Sequence, residues 1–169
     1  MNEQIKCILF DRDGTLGYLD DERFPTPFHL YGDVTGTFAK LKAKGYIVGV
    51  ITNQSSIARG TAGDYDFGAE IESYGVDIWE LCPHDNGDMC NCRKPKSGLL
   101  LSACSRLGIT PEQCFVIGDR ITDIQCAKNV GAGAALVLTG KGQKEAELVK
   151  NTYPDVAIWQ RFDDVLAHF

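Results

Sequence analysis

Six short apolar runs rich in β-branched and aromatic residues recur along the chain, at 5–10, 46–51, 76–81, 114–117, 134–138 and 156–159. Runs of that length bounded by turn residues read as strands, and their near-continuous apolar character suits strands covered on both faces. The intervals carry helical signals. Residues 34–44 put Val34, Phe38 and Leu41 on one face and stop at Gly45, and residues 97–107 stop at Gly108, as helices closing on left-handed glycine caps do. Residues 121–129 form a further expected helix, whereas Thr110-Pro111-Glu112-Gln113 has the chemistry of a helix start with room only for a turn. Strands separated by helical crossovers predict a doubly wound, mainly parallel α/β sheet. A chain of 169 residues suits one core, so a single domain over 1–169 is expected.

Ligands of such sheets bind beyond the carboxyl ends of the strands. The polar residues collect there. Asp11 and Asp13 follow the first strand, Thr52-Asn53-Gln54-Ser55 the second and Gly118-Asp119-Arg120 the fourth, while Lys94 sits in a loop just before the helix at 97. Residues 17–32, with Phe24-Pro25-Thr26-Pro27-Phe28, lack clear periodicity and are expected to form a flap over this rim.

Hydrolysis of a phosphate monoester needs an in-line nucleophile, neutralisation of charge around the transferred group and a proton for the leaving oxygen. Asp11 and Asp13, two apart at a strand end, predict two carboxylates pointing the same way, one to attack and one to carry a proton. Asp119 adds a carboxylate suited to Mg²⁺, and Asp123, one helical turn later, is a ligand, a support behind the ligands or plain helix surface. Lys94 and Thr52 suit phosphoryl oxygens, and Gly14 would let backbone N–H groups approach them. Alone, residues 11–15 also fit a plain strand-end turn. Their order with the other three stretches favours chemistry.

Cys82-Pro83-His84 and Cys90-Asn91-Cys92 supply three sulfurs and an imidazole, a full tetrahedral set for structural Zn²⁺ with no position left for catalysis. The zinc loop, 82–92, leads straight into Arg93 and Lys94, so the metal would fix the segment that delivers these cations. The bland alternative is a surface loop with incidental thiols. A redox pair fits less well, because Cys90 and Cys92 lack the two-residue spacer. Cys7, Cys104, Cys114 and Cys126 lie in apolar patterns and are expected to be buried thiols; His29 and His168 are expected to be ordinary flap or surface residues.

The segment 11–15, Thr52-Asn53-Gln54, Arg93-Lys94-Pro95 and Gly118-Asp119-Arg120-Ile121-Thr122-Asp123 together resemble the four ordered motifs of the haloacid dehalogenase superfamily, over most of the chain. The resemblance implies a Rossmannoid fold with a minimal cap and an aspartyl-phosphate formed at Asp11. It further implies Asp13 as general acid and base, Mg²⁺ held by Asp11, the Asp13 backbone carbonyl and Asp119, and phosphoryl binding by Thr52 and Lys94. The zinc loop running into Arg93-Lys94-Pro95 is similar to a narrower group, the D-glycero-D-manno-heptose-1,7-bisphosphate 7-phosphatases and the histidinol-phosphatases. Residues 52–60 resemble the TNQSGIARG segment of the heptose enzymes, and residues 98–103 their following helix; Asn53, Gln54, Ser55, Arg93 and Arg120 are thereby implied to bind substrate. Residues 118–125 and the short zinc spacer look more like the histidinol-phosphatases. Residues 17–32 also lack a Gly-Tyr-Val stretch of the heptose enzymes, and 60–82 is shortened. The heptose bisphosphate leads, with histidinol phosphate or a related sugar phosphate open.

A net charge of −6 repels nucleic acid and anionic membrane, so the expected partner is a small-molecule phosphate ester, with no nucleic acid and no membrane. No apolar core follows a basic start, and no run reaches the roughly 18 apolar residues of a membrane span. A cytoplasmic protein is expected. No heptad or apolar seam asks for a partner copy, which leaves a monomer as the expectation. A degenerate binding module would need a missing nucleophile or metal ligand, and none is missing; a phosphonatase would need a long cap insertion carrying a lysine.

Overall fold

A computed structural model describes residues 4–169. Its sheet is built from β1 (Cys7–Phe10), β4 (Ile47–Asn53), β5 (Ile78–Cys82), β6 (Cys114–Gly118), β7 (Gly133–Val137) and β8 (Ala157–Trp159), all parallel, in the order β5-β4-β1-β6-β7-β8. β2 (Gly17–Leu19) and β3 (Phe28–Leu30) form a separate antiparallel hairpin.

β1 lies at the centre, in register with β4 from Cys7↔Ile47 to Phe10↔Val50 and with β6 from Cys7↔Cys114 to Phe10↔Ile117. All four of its residues are buried, because alternate side chains enter two different cores. Cys7 and Leu9 join Ile51, Val116 and Leu136 under α4 (Gly98–Leu107), α5 (Ile121–Lys128) and α6 (Gly142–Thr152). Ile8 and Phe10 join Val48, Val50 and Ile117 under α1 (Val34–Ala43) and α3 (Phe67–Ser73), with the 3₁₀ turn Phe162–Ala167 completing that layer. The doubly wound sheet inferred from the apolar runs is the observed one. The chain runs outward from β1 to β5 and returns to β6, so the carboxyl ends of β1, β4 and β6 meet where the winding reverses, the place where open α/β sheets bind ligands.

Local chemistry explains the boundaries. The Asp33 carboxylate accepts from Gly36 N at 2.8 Å and starts α1, while Gly108, at φ 66°, stops α4 in the left-handed conformation. Thr110-Pro111-Glu112-Gln113 yields only the 3₁₀ turn Pro111–Gln113. β4 runs two residues beyond the expected end at 51, since Thr52 and Asn53 pair with Leu81 and Cys82 of β5. After Asp11 the backbone turns rather than staying extended, with Thr15 N and Leu16 N donating to Arg12 O at 3.3 and 3.0 Å. Asp13 therefore reaches the rim through a turn, not through strand alternation with Asp11. Residues 17–32, read as a flap without clear periodicity, contain the β2–β3 hairpin; each strand has only three residues, too few for alternation to register. Among the described residues no helix is long and apolar enough to cross a membrane.

Candidate active site

The carboxyl ends of β1, β4 and β6 open into a cavity of about 400 Å³. Asp11 extends the β1–β6 ladder by donating its N–H to Ile117 O at 2.9 Å, which fixes the start of its side chain at the rim. Lys94 reaches the same point from the loop before α4. Its ammonium meets Asp11 Oδ1 at 2.8 Å, Asp123 Oδ1 at 2.6 Å and Ile51 O at 2.9 Å, so its three donors have three acceptors. The Lys94 backbone is itself clasped by Asn53, which accepts from Lys94 N at 3.1 Å and donates to Lys94 O at 3.2 Å. Asp123 is engaged at both oxygens, since Oδ2 accepts from Arg120 N at 3.1 Å.

Asp119 stands at the end of β6. Its Oδ2 accepts from Lys141 N at 2.8 Å, and Gly14 packs against the carboxylate with φ +83°; a Cβ at Gly14 would fall 2.1 Å from Asp119 Oδ2. The glycine is thus required twice, by conformation and by space. Asp13 accepts from Arg12 Nη1 at its Oδ1 and from Gln54 Nε2 at its Oδ2, both at 2.5 Å. Gln54 Nε2 also donates to Thr52 Oγ1 at 2.9 Å.

Four carboxylates around two buried cations set the electrostatics. Burial would lower the Lys94 pKa, yet the charges of Asp11 and Asp123 outweigh it and raise the pKa above its ordinary value, keeping the ammonium charged. Burial, then the like charges of Asp11 and Asp123, push Asp119 up to about 8. Burial raises Asp123 to about 6 against the opposing pull of Lys94, and burial also raises Asp13 despite Arg12 and Gln54. Such crowding of negative charge is relieved by a hard divalent cation. Two oxygens on one Mg²⁺ at 2.0–2.1 Å lie at most about 4.2 Å apart, and Asp11, Asp119 and Asp123 present oxygens within 4.8 Å of one another. The Asp11 and Asp119 oxygens of that group fit such an ion with small adjustment, while both oxygens of Asp123 are already engaged by Lys94 and Arg120 N.

Cys82, His84, Cys90 and Cys92 converge as the spacing predicts, with ligand atoms within 4.8 Å of one another. Cys82 Sγ lies 3.8 Å from Cys90 Sγ and 3.5 Å from His84 Nδ1, which is 3.3 Å from Cys92 Sγ. A tetrahedron with Zn–S near 2.3 Å and Zn–N near 2.0–2.1 Å has edges of roughly 3.8 and 3.5 Å, so the tetrad fits zinc. The Arg93 N–H donates to Cys90 Sγ at 3.4 Å and draws that thiol down to about 6, whereas burial pushes Cys82 up to about 12. The same loop is tied to the active site: Arg93 Nη1 donates to Ser55 Oγ at 2.7 Å and to His84 O at 3.1 Å, and Arg59 forms a fork with Asp85 at 2.7 and 2.8 Å.

Asp11, Asp13, Asn53, Gln54, Ser55, Arg93, Lys94, Asp119, Arg120 and Asp123 all line the cavity, drawn from four separated stretches of chain. Thr52 lies one layer behind, fully buried beneath Gln54. The sequence reading assigned no role to Arg12, Tyr18, Glu22, Tyr31, Arg59 or Lys141. Of these all but Arg12 line the cavity, and Lys141 Nζ reaches Glu22 of the hairpin loop at 2.8 Å. Arg59 stood inside the quoted 52–60 segment and was recoverable; Lys141 follows β7 with no local signal. His29 lies on the hairpin, exposed beside Asp20, and His168 stacks on Trp159.

Residues 91–165 match the HAD-hydrolase-like family model. The chain is 35% identical to the D-glycero-β-D-manno-heptose-1,7-bisphosphate 7-phosphatase of Haemophilus ducreyi, over 89% of this chain and 96% of that protein. It is 34% identical to the enzyme of the same name from Neisseria meningitidis, over 96% and 91%. Among solved structures, the D,D-heptose 1,7-bisphosphate phosphatase of B. bronchiseptica, complexed with magnesium and phosphate, superposes with a TM-score of 0.83 at 27% identity, covering 97% of both chains.

Proposed function

Because the chain belongs to the haloacid dehalogenase-like phosphatases, within the family of the D-glycero-β-D-manno-heptose-1,7-bisphosphate 7-phosphatases, we propose that it removes the 7-phosphate of that heptose bisphosphate through a phosphorylated Asp11. The observation that carries this reading is Asp11 in the cavity lining, held by Lys94, with Asp13 lining the same cavity.

In the first step a carboxylate oxygen of Asp11 bonds to phosphorus as the bond from phosphorus to the sugar oxygen breaks. Asp13 gives its proton to that leaving oxygen. In the second, Asp13 takes a proton from water as the water oxygen bonds to phosphorus and Asp11 is released, so both residues return to their starting states. Lys94 keeps Asp11 oriented and offsets the charge on the phosphoryl oxygens. Bound Mg²⁺, held by Asp11, the Asp13 carbonyl and Asp119, would supply charge neutralisation at the transferred group. Asp123, with one oxygen on Lys94 and the other on Arg120 N, serves Lys94 and the turn before α5 rather than the ion. Zinc on Cys82, His84, Cys90 and Cys92 would hold the loop that presents Arg93 and Lys94.

The bisphosphate is favoured over histidinol phosphate by charge as well as by relationship. Arg93 hydrogen-bonds to neutral oxygens of Ser55, His84 and Asn86 and makes no contact ion pair with a carboxylate among the described residues, the nearest acidic influence being the through-space pull on Asp85, so its charge is offered to the cavity it lines. A second phosphate suits that end, and the amine of histidinol does not. A phosphate-release screen with Mg²⁺ tests this: heptose 1,7-bisphosphate should be turned over far faster than histidinol phosphate and other small phosphate esters. Equal or preferred turnover of histidinol phosphate contradicts the assignment.

A further inference from the structure

Arg12 is the largest side chain wholly shut off from solvent, and no step above uses it. Its guanidinium is held on every side. Nε lies 3.1 and 3.2 Å from the Glu70 carboxylate oxygens, Nη2 donates to Glu70 Oε2 at 2.8 Å and to Pro25 O at 2.9 Å, and Nη1 donates to Asp13 Oδ1 at 2.5 Å. The cation also lies over the Phe28 ring, 3.8 Å from its centroid, and 5.4 Å from that of Phe67. Glu70 is anchored in turn by the hydroxyls of Tyr65 at 2.6 Å and Tyr74 at 2.5 Å. Pro25 and Phe28 belong to the hairpin segment, and Phe67 and Glu70 to α3. One buried fork thus joins the flap and a helix to a single carboxylate oxygen at the active site.

We propose that Arg12 is a positioning residue that fixes Asp13 so that Oδ2 is the oxygen that carries and delivers the proton. An arginine keeps all its N–H groups at any working pH, so Oδ1 always faces a cationic donor, which disfavours a proton on that oxygen. Oδ2 faces Gln54, which lines the cavity while Arg12 does not. The Gln54 amide presents either its nitrogen or, turned over, its oxygen, and so accommodates Oδ2 ionised or protonated. Packing by Phe28 and Pro25 makes this orientation depend on the hairpin being seated.

This rests on the phosphatase reading above, and the test separates the two. An alkyl leaving group needs the proton of Asp13, whereas p-nitrophenolate departs without one, and kcat/KM reports only steps up to that departure. Arg12→Met alone would strand Glu70, so the double variant Arg12→Met/Glu70→Gln is compared with the parent chain after a thermal melt verifies its fold. For the double variant kcat/KM should fall about 100-fold on the heptose bisphosphate and no more than about threefold on p-nitrophenyl phosphate. Phe28→Leu, outside the cavity, should give a smaller loss with the same selectivity. An equal loss on both esters, or undiminished turnover of the alkyl ester, overturns the positioning role and leaves the phosphatase reading standing. Absence of phosphate release from either ester by the parent chain overturns both.

Discussion

Lys94 Nζ sits 2.8 Å from Asp11 Oδ1 with both side chains almost entirely buried, the cation arriving from a loop 83 residues further along the chain. A charge pair in such a place is costly to break, because either partner left alone remains desolvated. Lys94→Met should therefore lower unfolding free energy by about 3–5 kcal/mol in urea denaturation. Phosphate release by the same variant should drop by a factor on the order of 10²–10³, as expected for loss of a donor poised at a developing charge. A variant as stable and active as the parent would refute the pairing.

Gly14 makes a sharper case, since its substitution touches no charge. Gly14→Ala must adopt a left-handed backbone, at about 1–2 kcal/mol, and its methyl would collide with Asp119 Oδ2. If Asp119 holds the ion as proposed, displacing its carboxylate should raise the Mg²⁺ concentration for half-maximal activity by about 10–100-fold. A Mg²⁺ titration of activity decides it, and an unchanged midpoint would contradict the assignment of Asp119.

The tetrad of Cys82, His84, Cys90 and Cys92 yields a different readout. Protein purified without added metal should carry about one zinc per chain by the four-ligand count, and Cys90→Ser should lose it. With the loop freed, proteolysis within 82–92 should accelerate and phosphate release should fall, while the far-UV signature of the sheet persists. Metal-free protein with full activity would remove the loop's proposed role.

Glu70 predicts a pH dependence of stability. Burial alone would raise its pKa, but hydrogen bonds from Arg12, Tyr65 and Tyr74 hold it below the ordinary 4.5. A carboxylate depressed in the folded state stabilises above its unfolded pKa and loses that contribution as pH falls through the folded value. The stability gap between the parent and Glu70→Gln should thus be full near neutrality and shrink as pH drops below about 4.5. Urea melts at several pH values measure it; a gap independent of pH would mean the network contributes no charge.

What the sequence disclosed follows from the range of the forces involved. Strands β1, β4 and β6 were legible because they are largely buried on both faces and so carry nearly continuous apolar runs. The convergence of Cys82, His84, Cys90 and Cys92 was legible because two local pairs set the geometry. By contrast α6 is hard to read: Gly142–Thr152 is mostly polar and only Gly142 and Val149 are buried, so few large apolar residues mark the helix. Arg12 was equally silent. Its meaning depends on Glu70, 58 residues away, and on Pro25 and Phe28 of a hairpin whose strands are too short to show a period.

The central claim is that phosphate passes through Asp11. Acid quenching of the enzyme during turnover of heptose 1,7-bisphosphate with Mg²⁺, followed by mass spectrometry of the peptide spanning Asp11, tests it directly. One phosphoryl group on that peptide, absent from Asp11→Asn alongside loss of turnover, is the expected result. An unmodified peptide together with an Asp11→Asn variant that still turns over would contradict it.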